Sequence, residues 1–196
     1  MRWRVKQNNP RSAGLQSGLF LYKSQMKIAI DIGHARATGA TGNGLQEHEV
    51  CTRLAPLLAQ RLQELRHEVA VLDFPGRTNT GDLVETVRAI NAGGYELSIS
   101  LHCDSSQKSS ARGAHVICKT AAGKRFANAV ASHLCPLMPG RANHVIMRDD
   151  LYVLYATRCP AILVECGFLT NSRDADMLRH ELPRIAAAIA AGIAAA

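Results

Sequence analysis

From Met26 onward the chain alternates short apolar, β-branched runs with segments of helical period, and this alternation restricts the possible folds more than any other feature. "KIAIDI" at 27–32 is too short for a comfortable helix and reads as a buried strand. Val50, Leu54, Leu57, Leu58, Leu62 and Leu65 then recur at helical spacing, and "EVAVLDF" at 68–74 follows as a second strand. Leu83, Val84, Val87 and Ile90 mark a helix that Gly93 and Gly94 terminate, as glycine does at helix ends. "LSISLH" at 97–102 is a third strand, "AHVIC" at 114–118 reads as an edge strand, and Phe126, Val130, Leu134 and Leu137 line a helix closed by Pro139 and Gly140. "CPAILVECGF" at 159–168 is the last strand, and two helical stretches finish the chain, the final one from about Pro183 and rich in alanine, the best helix former. Strands alternating with helices predict an α/β fold with a mostly parallel central sheet and helices on both faces.

At 196 residues, with 47% of them hydrophobic, the chain is the size of one domain. No repeat or linker divides residues 26–196. The net charge of +7 raises the question of nucleic acid, but Arg2, Arg4, Lys6, Arg11 and Lys23 supply five of those charges within residues 1–25, which hold no acidic residue. The remainder carries only +2, so no nucleic-acid partner is expected. Residues 1–25 read as a leader, disordered or non-native, outside the fold. The longest apolar run of that leader, Leu19 to Tyr22, falls short of the roughly 7 to 15 residues of a signal peptide's apolar region. No run approaches the roughly 18 apolar residues of a spanning helix, so a soluble protein is expected. Cysteines at 51, 103, 118, 135, 159 and 166 lie mostly within apolar segments without close pairs, which favours buried free thiols over a disulfide framework.

Three apolar strands end in a residue that can bind a metal or move a proton: His34 after "IAIDIG", His102 after "SISL" and Glu165 after "AILV". In open α/β sheets such strand ends face the ligand crevice. Glu47 adds a fourth group, because it precedes Val50 by three positions and Leu54 by seven and therefore lies on the inward stripe of its helix. Glu49 points roughly 200° away from it and His48 about 100°. Each residue alone has a structural alternative: a loop histidine for His34, a backbone-bonded histidine for His102, a charge favouring the helix dipole for Glu47. Their joint placement at one sheet edge favours function. Two imidazoles and a carboxylate suit a catalytic zinc ion, which commonly keeps three protein ligands, and leave Glu165 to act as general base.

At these residues the chain resembles the zinc-dependent N-acetylmuramoyl-L-alanine amidases, the amidase-3 family of bacterial cell-wall hydrolases. "IAIDIGH" is similar to that family's first metal-histidine strand, "GLQEHEV" to its glutamate helix start, "SISLHCDS" to its second histidine strand and "CPAILVECGFLTN" to its catalytic-glutamate strand. The resemblance spans residues 27 to about 190 and implies one zinc ion per chain on His34, Glu47 and His102, with Glu165 as the catalytic carboxylate. It also implies the substrate, the amide between N-acetylmuramic acid and L-alanine in peptidoglycan. "RDDLYVLYAT" at 148–157 resembles the stretch before the last strand, and Arg77, Arg88 and Asn91 fall where the family carries similar polar residues, with salt bridges and helix surface as their alternative reading. The chain departs from the pattern after His34, where "ARATGATGNG" replaces a glycine-rich stretch. Cys103 and Cys166 follow His102 and Glu165, and strand alternation predicts that both thiols point away from the metal. No cell-wall-binding module is visible; a phage-type lysin or a protein freed by lysis of its mother cell fits that pattern. A monomer is expected. Two rival readings are a metal-dependent amidase acting on soluble muropeptides and a non-catalytic peptidoglycan-binding module, the second of which has no need of Glu165.

Overall fold

The computed structural model describes residues 25–74, 76 and 78–196. The leader, but for its last residue, and Arg77 lie outside the described residues. In chain order the elements are β1 (Lys27–Ile32), β2 (Thr41–Gly42), β3 (Leu45–Gln46), α1 (Glu47–Glu64), β4 (Glu68–Leu72), α2 (Asn79–Gly93), β5 (Leu97–Asp104), β6 (His115–Cys118), α3 (Ala121–Leu137), β7 (Val145–Met147), α4 (Tyr152–Tyr155), β8 (Ala161–Phe168), α5 (Ser172–His180) and α6 (Leu182–Ala195).

The main sheet has six strands in the order β4-β1-β5-β8-β6-β7. Strands β4, β1, β5 and β8 run parallel, as their helical crossovers require, whereas β6 is antiparallel to β8 and β7 is parallel to β6. Side chains alternate across the sheet. Ile28, Ile30, Ile32, Leu97, Ile99, Leu101, Ile162 and Val164 enter the main core beneath α1, α3 and α6. Ile117, Ala161 and Leu163 enter a smaller cluster on the other face with Val153 and Leu154 of α4, against which Leu83 of α2 packs. Helices therefore cover both faces.

The expectation that 114–118 forms an edge strand is corrected: β6 lies inside the sheet, between β8 and β7. Its four residues are all buried, and the edge position belongs to β7, whose three apolar residues are half-buried or exposed and too short a run to mark a strand. Local chemistry sets the helix ends. Gln46 caps α1 by accepting from the Glu49 backbone N–H at 3.0 Å, Thr78 caps α2, and Gly94 ends α2 with a left-handed φ of 67°. No helix among the described residues is long and apolar enough to cross a membrane. All six cysteines are free thiols, and Cys159 alone is not fully buried.

Candidate metal centre

Strand β1 carries the chain to the sheet edge, where the Gly33 N–H donates to the Leu101 carbonyl at 3.0 Å and so extends the ladder by one bond. The chain then breaks away through His34, whose φ of 67° lies in the left-handed region that non-glycine residues seldom occupy. Gly33 is required by close approach: a Cβ there would meet the His102 ring at 2.4 Å and the Leu101 carbonyl oxygen at 2.7 Å. His102 projects from β5, directly opposite Glu165 of β8 in the parallel ladder. Both stand on the α2 face, because their neighbours Leu101, Cys103, Val164 and Cys166 enter the main core. The two thiols therefore face away from the imidazoles, as alternation predicts.

Glu47 opens α1 and reaches across to both histidines. Its Oε1 lies 3.0 Å from His102 Nδ1 and accepts from the Cys103 N–H at 3.0 Å. Its Oε2 lies 3.2 Å from His34 Nε2 and accepts from the Ala40 N–H at 2.8 Å. The departing loop after His34 thus contributes a backbone donor to the carboxylate. Helical phase separates the three candidates on α1: Glu49 is exposed, His48 pairs with Asp73 at 3.2 Å, and Glu47 alone turns to the imidazoles. One ligand atom from each of His34, Glu47 and His102 falls within 4.8 Å of the others, the one such cluster among the described residues.

Burial would raise the Glu47 carboxyl, but hydrogen bonds to His102 and His34 outweigh it and hold the group well below the usual carboxylate range. Burial likewise opposes charge on His102, yet Glu47 and Glu165 lift it to about 9. A carboxylate this deep persists only beside positive charge, which two imidazoles provide by carrying protons or by sharing a divalent cation with it. Two imidazole nitrogens and a carboxylate oxygen are the donor types zinc takes in catalytic sites. Glu165 differs. Burial pushes its carboxyl up to about 7, with Asp104 and Glu47 adding to the rise, and its Oε2 is buried without a hydrogen-bond partner among the described residues. Beside the cluster, a cleft of about 250 Å³ is lined by Asp31, Gly33, His34, Asn79, Thr80, Asp82, Leu83 and His102.

Two of the further polar positions lie outside this cluster. Arg88 is exposed and pairs with Glu85, while Asn91 donates to the Ala156 carbonyl at 2.9 Å and accepts from the Arg158 N–H at 2.8 Å, which ties α2 to the segment between α4 and β8. Within "RDDLYVLYAT", Arg148 forms a two-pronged pair with Asp150 and residues 152–155 form α4. Three groups that sequence reasoning missed stand near Glu165: His115, directly opposite it on β6, with Arg141 and Asp104. The available signal was the polar residue at an alternating position of "AHVIC", but its meaning depends on strand pairing.

A family model described as N-acetylmuramoyl-L-alanine amidase matches residues 28–195. The chain is 29% identical over 159 residues to the uncharacterized protein YqiI of Bacillus subtilis, covering 79% of this chain and 75% of that one. It is 29% identical over 160 residues to the N-acetylmuramoyl-L-alanine amidase LytC of Bacillus subtilis, covering 78% of this chain but only 31% of LytC. Among solved structures it is similar to the catalytic domain of the CD27L endolysin targeting Clostridia Difficile, with a TM-score of 0.81, 27% identity, and coverage of 87% of this chain and 98% of that one.

Proposed function

The chain belongs to the N-acetylmuramoyl-L-alanine amidase family, and from that premise we propose that it hydrolyses the amide bond between N-acetylmuramic acid and L-alanine of peptidoglycan as a monomer holding one zinc ion. His34, Glu47 and His102 hold the ion and Glu165 is the general base. The observation that supports the reading most is the convergence of four side chains from four segments: three ligand atoms within 4.8 Å of one another, and Glu165 facing His102 across adjacent strands. The catalytic unit is residues 26–196, and residues 1–25 contribute nothing to it.

Bound to this set, zinc would polarise the scissile carbonyl and make the attacking water more acidic. The chain's own residues do the rest. Glu47 supplies the negative charge that balances the cation, with both its oxygens already oriented by the Ala40 and Cys103 N–H groups. Glu165 takes a proton from the attacking water as the carbon–oxygen bond forms and delivers it to the departing nitrogen as the carbon–nitrogen bond breaks, which frees the lactyl carboxylate and the amino group of L-alanine. Burial holds this carboxyl above the ordinary carboxylate range, which suits it to return the proton as well as to accept it.

The test is Glu165→Gln on purified peptidoglycan. Stem-peptide release is expected to fall by roughly 10²-fold or more with zinc content unchanged, the loss typical of removing a general base. Wild-type release by this variant would contradict the mechanism. Release from soluble muropeptides but not from intact peptidoglycan would move the substrate to that smaller class.

A further inference from the structure

His115 on β6 is paired in antiparallel register with Glu165, and alternation puts the two side chains on one face, since Val116 and Val164 beside them enter the opposite core. Directly opposite residues in an antiparallel pair hold their Cβ atoms about 4.5 to 5.5 Å apart. The imidazole is 3% exposed, and its Nε2 receives a hydrogen bond from the Arg141 guanidinium at 3.4 Å. A guanidinium can only donate, so Nε2 must be the unprotonated acceptor and the ring proton resides on Nδ1. Arg141 is itself held by Asp104, at 3.6 Å, and its Cζ lies 5.5 Å from the centre of the Phe168 ring. Burial and the positive charges of Arg141 and Arg148 pull the imidazole down to about 4, which keeps it neutral.

The Nδ1–H defined in this way is a buried donor without a hydrogen-bond partner among the described residues, and Glu165 Oε2 on the opposite residue is a buried acceptor without one among them. Asp104 Oδ2, 3.9 Å from Nδ1, is beyond direct bonding distance but completes a polar set of three groups. Two such orphans on facing residues are costly separately and are satisfied together by one bridging water, which needs two to four polar partners.

We propose that His115 is a positioning residue for Glu165: its Nδ1–H, fixed by Arg141, donates through one shared water to Oε2 and orients the carboxylate's other oxygen toward the attacking water. The inference rests on Glu165 being the general base. A donor on Oε2 favours the ionised form and restrains the side-chain rotamer, so it acts on the chemical step rather than on substrate binding.

Two amide substitutions test this, because they divide the ring's two nitrogens between them. In His115→Asn the side-chain NH2 lies where Nδ1–H was, whereas in His115→Gln the amide extends to the Nε2 position, meets Arg141 and leaves the Nδ1 position without a donor. On zinc-loaded enzyme, kcat is expected to stay near wild type in the asparagine variant and to fall about tenfold in the glutamine variant, roughly the worth of one hydrogen bond to a charged group. KM and zinc content are expected to match wild type in both, and any fall in melting temperature is expected to be shared by both variants rather than to follow the loss of kcat. Wild-type kcat in His115→Gln, or an equal loss in both variants, would overturn the inference. An inactive Glu165→Gln beside a fully active His115→Gln would remove this role alone, whereas an active Glu165→Gln would remove the general-base reading beneath it.

Discussion

At the scale of single residues, each polar group of the site owes its behaviour to what surrounds it. Glu47 is buried and Glu165 half-buried beside the same imidazole, but Glu47 lies between two histidines and two backbone donors, while for Glu165 desolvation outweighs the charges of His102 and Arg141 and the carboxylates Asp104 and Glu47 add to it. One is therefore held ionised and the other is raised to about 7. With Glu165 as the proposed general base, which works in its ionised form, the rate is expected to fall as pH drops through the Glu165 titration and to reach a plateau above it. A divalent cation at the neighbouring ligands pulls that midpoint down, which places the acid limb of a kcat–pH profile at or below about pH 7. A flat profile between pH 4 and 7 would contradict the assignment. The grouping of these residues was legible in the sequence, because strand ends and helical phase are local properties: "IAIDIGH", "SISLH" and "AILVE" each end in a proposed site residue, and the position of Glu47 follows from Val50 and Leu54. His115 was not legible, since its partner lies 50 residues away on a strand whose direction no local pattern reveals.

Among the elements, the join between the last strand and the helix after it depends on one buried carboxylate. Asp174 of α5 is 1% exposed, and its Oδ2 accepts from the Gly113 N–H at 2.6 Å and the Phe168 N–H at 3.0 Å. Asn171 caps the same helix through the Arg173 and Asp174 N–H groups. Asp174 thus fastens the end of β8 to the segment that leads into β6. Asp174→Ala leaves two buried donors unsatisfied and is expected to cost about 3 kcal/mol of stability, measured by chemical denaturation. A loss below about 0.5 kcal/mol, the range of surface substitutions, would show that the clamp carries nothing. The same region shows where element-level reading fails. "AHVIC" is apolar enough to be recognised as a strand, but the three residues of β7 are too short and too exposed to be recognised as its neighbour. β6 was therefore expected at the edge.

For the whole molecule, residues 1–25 supply five of the seven net positive charges, and among the described residues every element that positions the site begins at or after Lys27. A chain starting at Met26 is expected to keep zinc content and peptidoglycan hydrolysis within about twofold, since His34, Glu47, His102 and Glu165 and the strands and helix that hold them all lie at or beyond Lys27. Loss of either would show that the leader belongs to the catalytic unit. Any association of the full chain with nucleic acid is expected to disappear in the shortened one and to weaken steeply with salt. The central claim is that one zinc ion on His34, Glu47 and His102 makes this fold an amidase. The most direct measurement is zinc titration of the chelator-stripped protein while new alanine amino groups released from peptidoglycan are counted. Activity is predicted to be absent without metal and to return to a plateau at one zinc per chain; hydrolysis that survives complete zinc removal, or zinc uptake that restores none, would contradict the account.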